Sequence, residues 1–358
     1  MKILCVAAGL LLAQSSPSLA DMPGVAPAVL AARSALMAQG AGSLASGNAE
    51  AAANAFDRAV AMVHAPDAER GLVRSYLQAG HYRQALSYAA HTAGAHRDET
   101  EGVALYVWLL FLGDQQAAAM RILDEAQARA PADASLAQVR RRMTTGAGSA
   151  FAPVSVAPGP DASAVLKGSG VLLADGHHAL APSSAVAGAR SLWVRNGLGQ
   201  TRRAVVESVF RREGLALLAL DGSLTPPAGY GGAAGKSFPG SLAYYAGYAM
   251  TGGAPAQWPA MQHGFIGMPL NGGKTMPLGI DPGKGSHGGP VFNAEGALAG
   301  IALGGPAGGH VLLPIGQIVQ LLEAHAVPPA ASSGGTRMAI EHVYENAMRV
   351  TLQVLATR

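Results

Sequence analysis

The sequence predicts a multidomain α + β protein, with an N-terminal α-helical repeat half followed by an all-β half. Three observations predict it. Residues 26–143 are rich in Ala, Leu, Gln and Arg, which favour helix, and they repeat with a 33-residue period. Residues 144–162 are a run of Gly, Pro, Ser and Ala without an apolar period, the composition of a linker. Beyond them, short apolar runs alternate with turn signals, the spacing of a barrel or sandwich.

The chain begins with Lys2, an apolar run from Ile3 to Ala13, and the small-residue ending Ser18-Leu19-Ala20. That is the pattern of a secretory signal cleaved after Ala20. The run is far shorter than the ~20 residues of a membrane helix, and no later run qualifies, so no span is expected after cleavage. Export implies the periplasm first and full secretion second. Cys5, the one cysteine of the 358 residues, lies inside the signal. Disulfides, thiolate catalysis and cysteine-ligated zinc are therefore excluded for the mature chain.

Hydrophobic residues make up 49% and charged residues 13%, which excludes a disordered, charge-rich chain. The net charge of +3 is the difference between 25 basic and 22 acidic side chains. It makes no basic face for phosphates, so nucleic acid is not expected as a partner.

Within the helical half, Gly47, Gly80 and Gly113 mark the period. Each has a leucine three residues before it (Leu44, Leu77, Leu110) and an alanine five residues after it (Ala52, Ala85, Ala118). Glycine suits a tight turn, alanine lets two helices approach, and leucine fills the seam. The unit is a helix–turn–helix stacked about three times. It resembles tetratricopeptide repeats in period and small-residue placement, while its aromatic signature is thin (Phe56, Tyr82, Trp108). A generic bundle of helical hairpins fits the same pattern.

In the β half, Val171–Leu173, Leu192–Val194 and Leu215–Leu220 read as strands around the turns Asp175-Gly176 and Asn196-Gly197. Ile315 to His325 is helical in period, with Ile315, Ile318, Val319 and Leu322 on one face. The segment 338–355 fits either a helix or a chain ending in a strand. The resulting boundaries are a signal at 1–20, helical repeats at 22–143, a linker at 144–162, a β domain at 163–327, and a linker with C-terminal segment at 328–358. Each half is expected to fold by itself.

Four stretches of the β half stand in a telling order: Gly168-Ser169-Gly170-Val171-Leu172-Leu173, Leu180-Ala181-Pro182-Ser183-Ser184-Ala185-Val186, Gly214-Leu215-Ala216-Leu217-Leu218, and Gly285-Ser286-His287-Gly288-Gly289-Pro290. The series resembles the trypsin-like serine peptidases, the HtrA-type bacterial branch in particular, over residues 163–325. The resemblance implies a double β-barrel with a serine nucleophile, a histidine base and an orienting aspartate. Carried over position by position, the nucleophile falls on His287, the base on Ser184 and the aspartate on Gly214. All three are replaced, so no catalytic residue is assigned. Gly285, Ser286, His287, Gly288 and Gly289 would form the oxyanion-hole-like loop.

Neither Ser184 nor Ser286 restores the arrangement. The oxyanion donors would serve a nucleophile at 287, and a misplacement of about 1 Å already costs on the order of 10²-fold. Glu213, one residue from Gly214, would point to the opposite face of a strand. His287 is expected to fold back over the vacated space, within hydrogen-bonding reach of Ser184. Asp281, six residues before His287, reads as a turn aspartate. His177, His178, His263, His287 and His310 lack a metal-ligand spacing, so no metal is expected. No phosphate-binding glycine loop occurs, so no cofactor is expected either. The expected function is that of a catalytically inactive pseudopeptidase that binds or scaffolds other proteins or extended peptides. The alternative is a divergent serine endopeptidase with a non-standard arrangement.

Overall fold

The computed structural model describes residues 25–145, 156, 159–233, 237–249, 256–269, 272, 274–283, 287–305, 309–323, 325 and 335–358. The signal at 1–20 and most of the linker lie outside the described residues, as do Gly285 and Ser286.

Seven helices make the first half: α1 (Pro27–Ala45), α2 (Ala49–Met62), α3 (Pro66–Ala79), α4 (Tyr82–Ala95), α5 (Thr100–Leu112), α6 (Gln116–Arg129) and α7 (Ala134–Thr145). The first six pair as three hairpins whose turns carry the repeated glycines. Gly47 and Gly80 take the left-handed backbone at φ 79° and 81°, which ends a helix at little steric cost for a residue without Cβ. In the third turn Asp114 takes that conformation instead, at φ 63°. The left-handed residue thus comes one position after Gly113, so the phase of the next helix slips by one residue. Ala52 and Ala85 are fully buried, as expected, but in the third hairpin Ala119 is buried and Ala118 stays at the margin. Leu44, Leu77 and Leu110 are all buried in the seams.

The second half builds two sheets from β1 (Val165–Leu172), β2 (His178–Pro182), α8 (Ser183–Val186), β3 (Ser191–Asn196), β4 (Thr201–Phe210), β5 (Leu215–Leu220), β6 (Leu242–Gly247), β7 (Ala260–Phe265), β8 (Met276–Pro277), β9 (Pro290–Phe292), β10 (Leu298–Gly304) and β11 (His310–Pro314). Then follow α9 (Ile315–Glu323), α10 (Ile340–Val350) and β12 (Thr351–Thr357). The first sheet closes as a barrel in the order β1-β12-β3-β4-β5-β2. The second has six strands in the order β7-β6-β9-β10-β11-β8. This is the expected helical region followed by β-barrel architecture.

The C-terminal segment lies outside the boundaries 163–327 given to the β domain, yet it completes that domain's first barrel. It is both helix and strand, and β12 is a member of the first barrel. Its ladders run from Val165↔Ala356 to Val171↔Thr351 on one side and from Leu352↔Asn196 to Thr357↔Ser191 on the other. A barrel limited to 163–327 would leave the facing edges of β1 and β3 unpaired, and buried backbone groups do not stay unpaired. The alternating residues Leu352, Val354 and Ala356 enter the main core, while Gln353 faces Arg195.

Helix α10 ties this barrel to the helical half. Val343, Tyr344, Ala347, Met348 and Val350 are fully buried. The Tyr344 ring meets Tyr82 of α4 edge-on at 4.5 Å, and its hydroxyl donates to the Pro259 carbonyl at 2.6 Å. Arg349 donates to the Ala79 carbonyl at 2.9 Å, and Glu345 accepts from the Arg83 backbone at 3.0 Å. Gln78 reaches the Leu198 carbonyl of the barrel at 2.8 Å. One apolar core therefore runs from Leu77 and Trp108 through Tyr344 to Leu172 and Phe292. The halves share a core, contrary to the expectation that each folds by itself.

Truncation after residue 339 should abolish the β-sheet circular dichroism of the 163–327 region, and cleavage within 144–162 should leave the two halves associated on gel filtration. Tyr344→Ala should lower unfolding stability by about 3–5 kcal/mol in a denaturant titration, the range for removing a buried aromatic ring. A well-dispersed NMR spectrum from an isolated 163–327 fragment would contradict this topology.

Candidate functional site at the junction of the two sheets

The glycine-rich stretch sits where the first barrel meets the second sheet. Ser169 of β1 donates its N–H to the His287 carbonyl at 3.1 Å. Gly288 donates to the Ala302 carbonyl of β10 at 2.7 Å, and the Ala302 N–H returns to the Gly289 carbonyl at 3.0 Å. Gly288 has φ 96°, and a side chain there would collide with Pro182 and the Ser169 carbonyl. Packing alone thus demands glycine at this position.

Ser184 and Gly214 lie close together. Ser184 lies on α8 directly after β2, and the neighbouring Ser183 N–H donates to the Gly214 carbonyl at 2.8 Å. Gly214 turns the chain from β4 into β5 at φ 70°, with open space where a side chain would stand. The Ser184 side chain is exposed.

His287 does not fold back onto Ser184. Its ring lies 5.2 Å from that of His310, at a tilt of 41°. Its Nε2 is 3.5 Å from the point where a Cβ on Gly304 would be. The physical reason is space: Gly304 and His310 are paired across β10 and β11, and the bare backbone of Gly304 leaves a shelf for an imidazole. No hydrogen bond joins His287 to Ser184 among the described residues. The Nδ1 atoms of both His287 and His310 are buried without a hydrogen-bond partner.

Burial, and then the nearby His310, holds the His287 imidazole below its usual pKa. His310 Nε2 in turn lies 3.1 Å from Asp281 Oδ1. Asp281 accepts from the Gly283 N–H at 2.9 Å, and that bond, with a smaller contribution from His310, keeps its carboxyl below the usual range. This is the geometry of a turn aspartate. The site therefore offers a half-buried, weakly basic imidazole, a chain of two histidines and a carboxylate, and, among the described residues, no hydroxyl placed against a base.

The other histidines of the β half go to separate places. His178 bonds Asp175 at 2.6 Å and lies 3.2 Å from Glu207, while His177 is exposed. His263 of β7 pairs with Asp114 of the helical half. A serine–histidine hydrogen bond does form, between His325 Nε2 and Ser208 at 3.0 Å, with Nδ1 donating to the Leu321 carbonyl. It joins the end of α9 to β4 and has no carboxylate behind it. Sequence reasoning missed these pairs because most of their partners are far apart in the chain and carry no spacing signal.

Residues 168–301 match the family described as the trypsin-like peptidase domain. Among 290 matching chains of solved structures is the crystal structure of the serine endoprotease from Yersinia pestis. It is 18% identical, with a TM-score of 0.37, and the match covers 45% of this chain and 61% of that one. The chain thus spans less than two thirds of that protein's length. No curated protein matches the chain.

The pH dependence of His287 has a definite sign. Its folded pKa lies below the unfolded value of about 6.5, so its neutral form favours folding. That contribution is intact above about pH 6.5 and is lost as pH falls toward the lowered folded value. An NMR titration should place the His287 midpoint below 6.5, and His287→Ser should lose less stability than wild type between pH 7 and 5.

Proposed function

Starting from a trypsin-like peptidase domain whose three catalytic positions hold Ser184, Gly214 and His287, we propose that the protein is a catalytically inactive pseudopeptidase. The observation that carries this reading is His287. At the position to which the resemblance carries the nucleophile stands an imidazole, packed near Gly304 and His310. Ser184, at the base position, is exposed and cannot accept a proton as histidine does, and Gly214 has no side chain to orient a base. Loss of a whole triad costs on the order of 10⁶ in turnover.

The retained glycines favour a domain kept for its shape. In this reading the protein works as a binding or scaffolding module for other proteins or extended peptides, with the tetratricopeptide-like helices as the main docking surface. The bulk of an imidazole at position 287 argues for the helices over the barrel. The signal at 1–20 would send it to the periplasm, where the mature chain should be recovered beginning after Ala20 on N-terminal sequencing.

A fluorophosphonate probe reports an activated serine without knowledge of the substrate. The purified mature chain should not label and should not cleave unfolded casein. Labelling that is abolished by Ser184→Ala, Ser286→Ala or Ser208→Ala would instead establish a divergent serine hydrolase.

A further inference from the structure

In the second helical hairpin, well apart in sequence from the peptidase-like loop, four side chains with metal-binding chemistry converge. Glu69 stands in the first turn of α3 and is fully buried. His64 lies in the connection between α2 and α3, His91 on α4, and His96 at the C-cap of α4. Their Nε2 atoms gather around the one carboxylate. His64 is 2.6 Å and His91 3.8 Å from Oε1, and His96 is 3.7 Å from Oε2.

Close approach does not become hydrogen bonding here. Neither oxygen of Glu69 has a hydrogen-bond partner, and the buried His96 Nε2 also lacks one. A carboxylate taken fully out of water and left without donors is among the costliest burials a fold can contain. Four groups that share no hydrogen bond but converge on one point are arranged for a cation between them. We propose that His64, Glu69 and His96 bind one divalent transition-metal ion of the zinc type, with His91 beside them as a further imidazole.

The spacing suits such an ion. One ligand atom from each of His64, Glu69 and His96 lies within 4.8 Å of the others. A tetrahedral ion with bonds of about 2.0–2.2 Å sets its ligand atoms roughly 3.3–3.5 Å apart. Small rotamer changes close the difference. Two or three imidazoles with a single carboxylate select zinc-like ions over magnesium or calcium, which take oxygen ligands. Ring centroids of His64 and His96 stand 5.1 Å apart, and those of His64 and His91 6.0 Å. The His64 and His91 side chains are 54% and 58% exposed, which leaves an entry path from solvent. A bound ion would pin the α2–α3 connection to the end of α4 and brace the second hairpin.

Tag-free full-length mature protein, stripped with a chelator and dialysed against zinc, tests this directly. Metal analysis should find one zinc per chain, and the thermal midpoint should rise by several degrees, while magnesium and calcium leave it unchanged. His64→Ala/His96→Ala should weaken zinc binding at least tenfold, with the chelator-treated variant still folded by circular dichroism. Should the double variant fail to fold, His64→Ala alone replaces only a half-exposed ring and should give a loss of the same sign. Cobalt in place of zinc should produce the visible absorption of a tetrahedral site. Zinc well below one equivalent, or zinc binding unchanged in the histidine variants, would overturn the proposal and leave an ordinary histidine–glutamate cluster.

Discussion

The structure depends on the slot between β1 and β3. The chain lays down five strands of the first barrel, completes the second sheet and α9, and only then returns to fill that slot with β12. All seven residues of β12 are buried, including Thr351, Gln353 and Thr357. Because α10 runs directly into β12, closing the barrel also drags a buried helix face onto α4. The Tyr82–Tyr344 contact and the Arg349 bond to the end of α3 follow from that one insertion. Helical repeats and barrel thus become parts of one core, and the last residues of the chain serve as a structural keystone.

This constraint changes how the peptidase-like loop should be understood. Gly288 is glycine because Pro182 and the Ser169 carbonyl leave no room for a side chain, a requirement of the junction between sheets. The demand holds whether or not chemistry occurs there. A motif rich in glycine can therefore outlast the reaction it once served, since fold and site are separable. The side chain at 287 is free of that demand, and the imidazole settles where backbone is bare, over Gly304 beside His310.

Unpartnered histidine nitrogens are buried in two places of different character. At the sheet junction, His287 and His310 each bury an unpartnered ring nitrogen. At the second hairpin, Glu69 buries a whole carboxylate among three imidazoles. Neutral rings tolerate a poorly solvated pocket, whereas a carboxylate requires compensating positive charge. That contrast separates the sheet junction from a cluster that is built around a charge.

Local patterns in the sequence carried the helical hairpins, the position of their turns, the alternation of strands and the order of the peptidase-like stretches. Each rests on residues close in the chain: Gly47 and Gly80 at turns, Leu44 and Leu77 in seams, and Gly288 and Gly289 before Pro290. Even the displaced alanine of the third hairpin stems from a local event, the left-handed turn residue Asp114 one position after Gly113. Tertiary structure alone decided the rest. The alternation of Leu352, Val354 and Ala356 was visible, but nothing local says that they pair with β1 and β3, because strand pairing is set by which edges remain open. His287 took its place from the shelf at Gly304, and Glu69 met His91 and His96 through helix packing across more than twenty residues. Such meetings are decided by the complementarity of surfaces that exist only after folding.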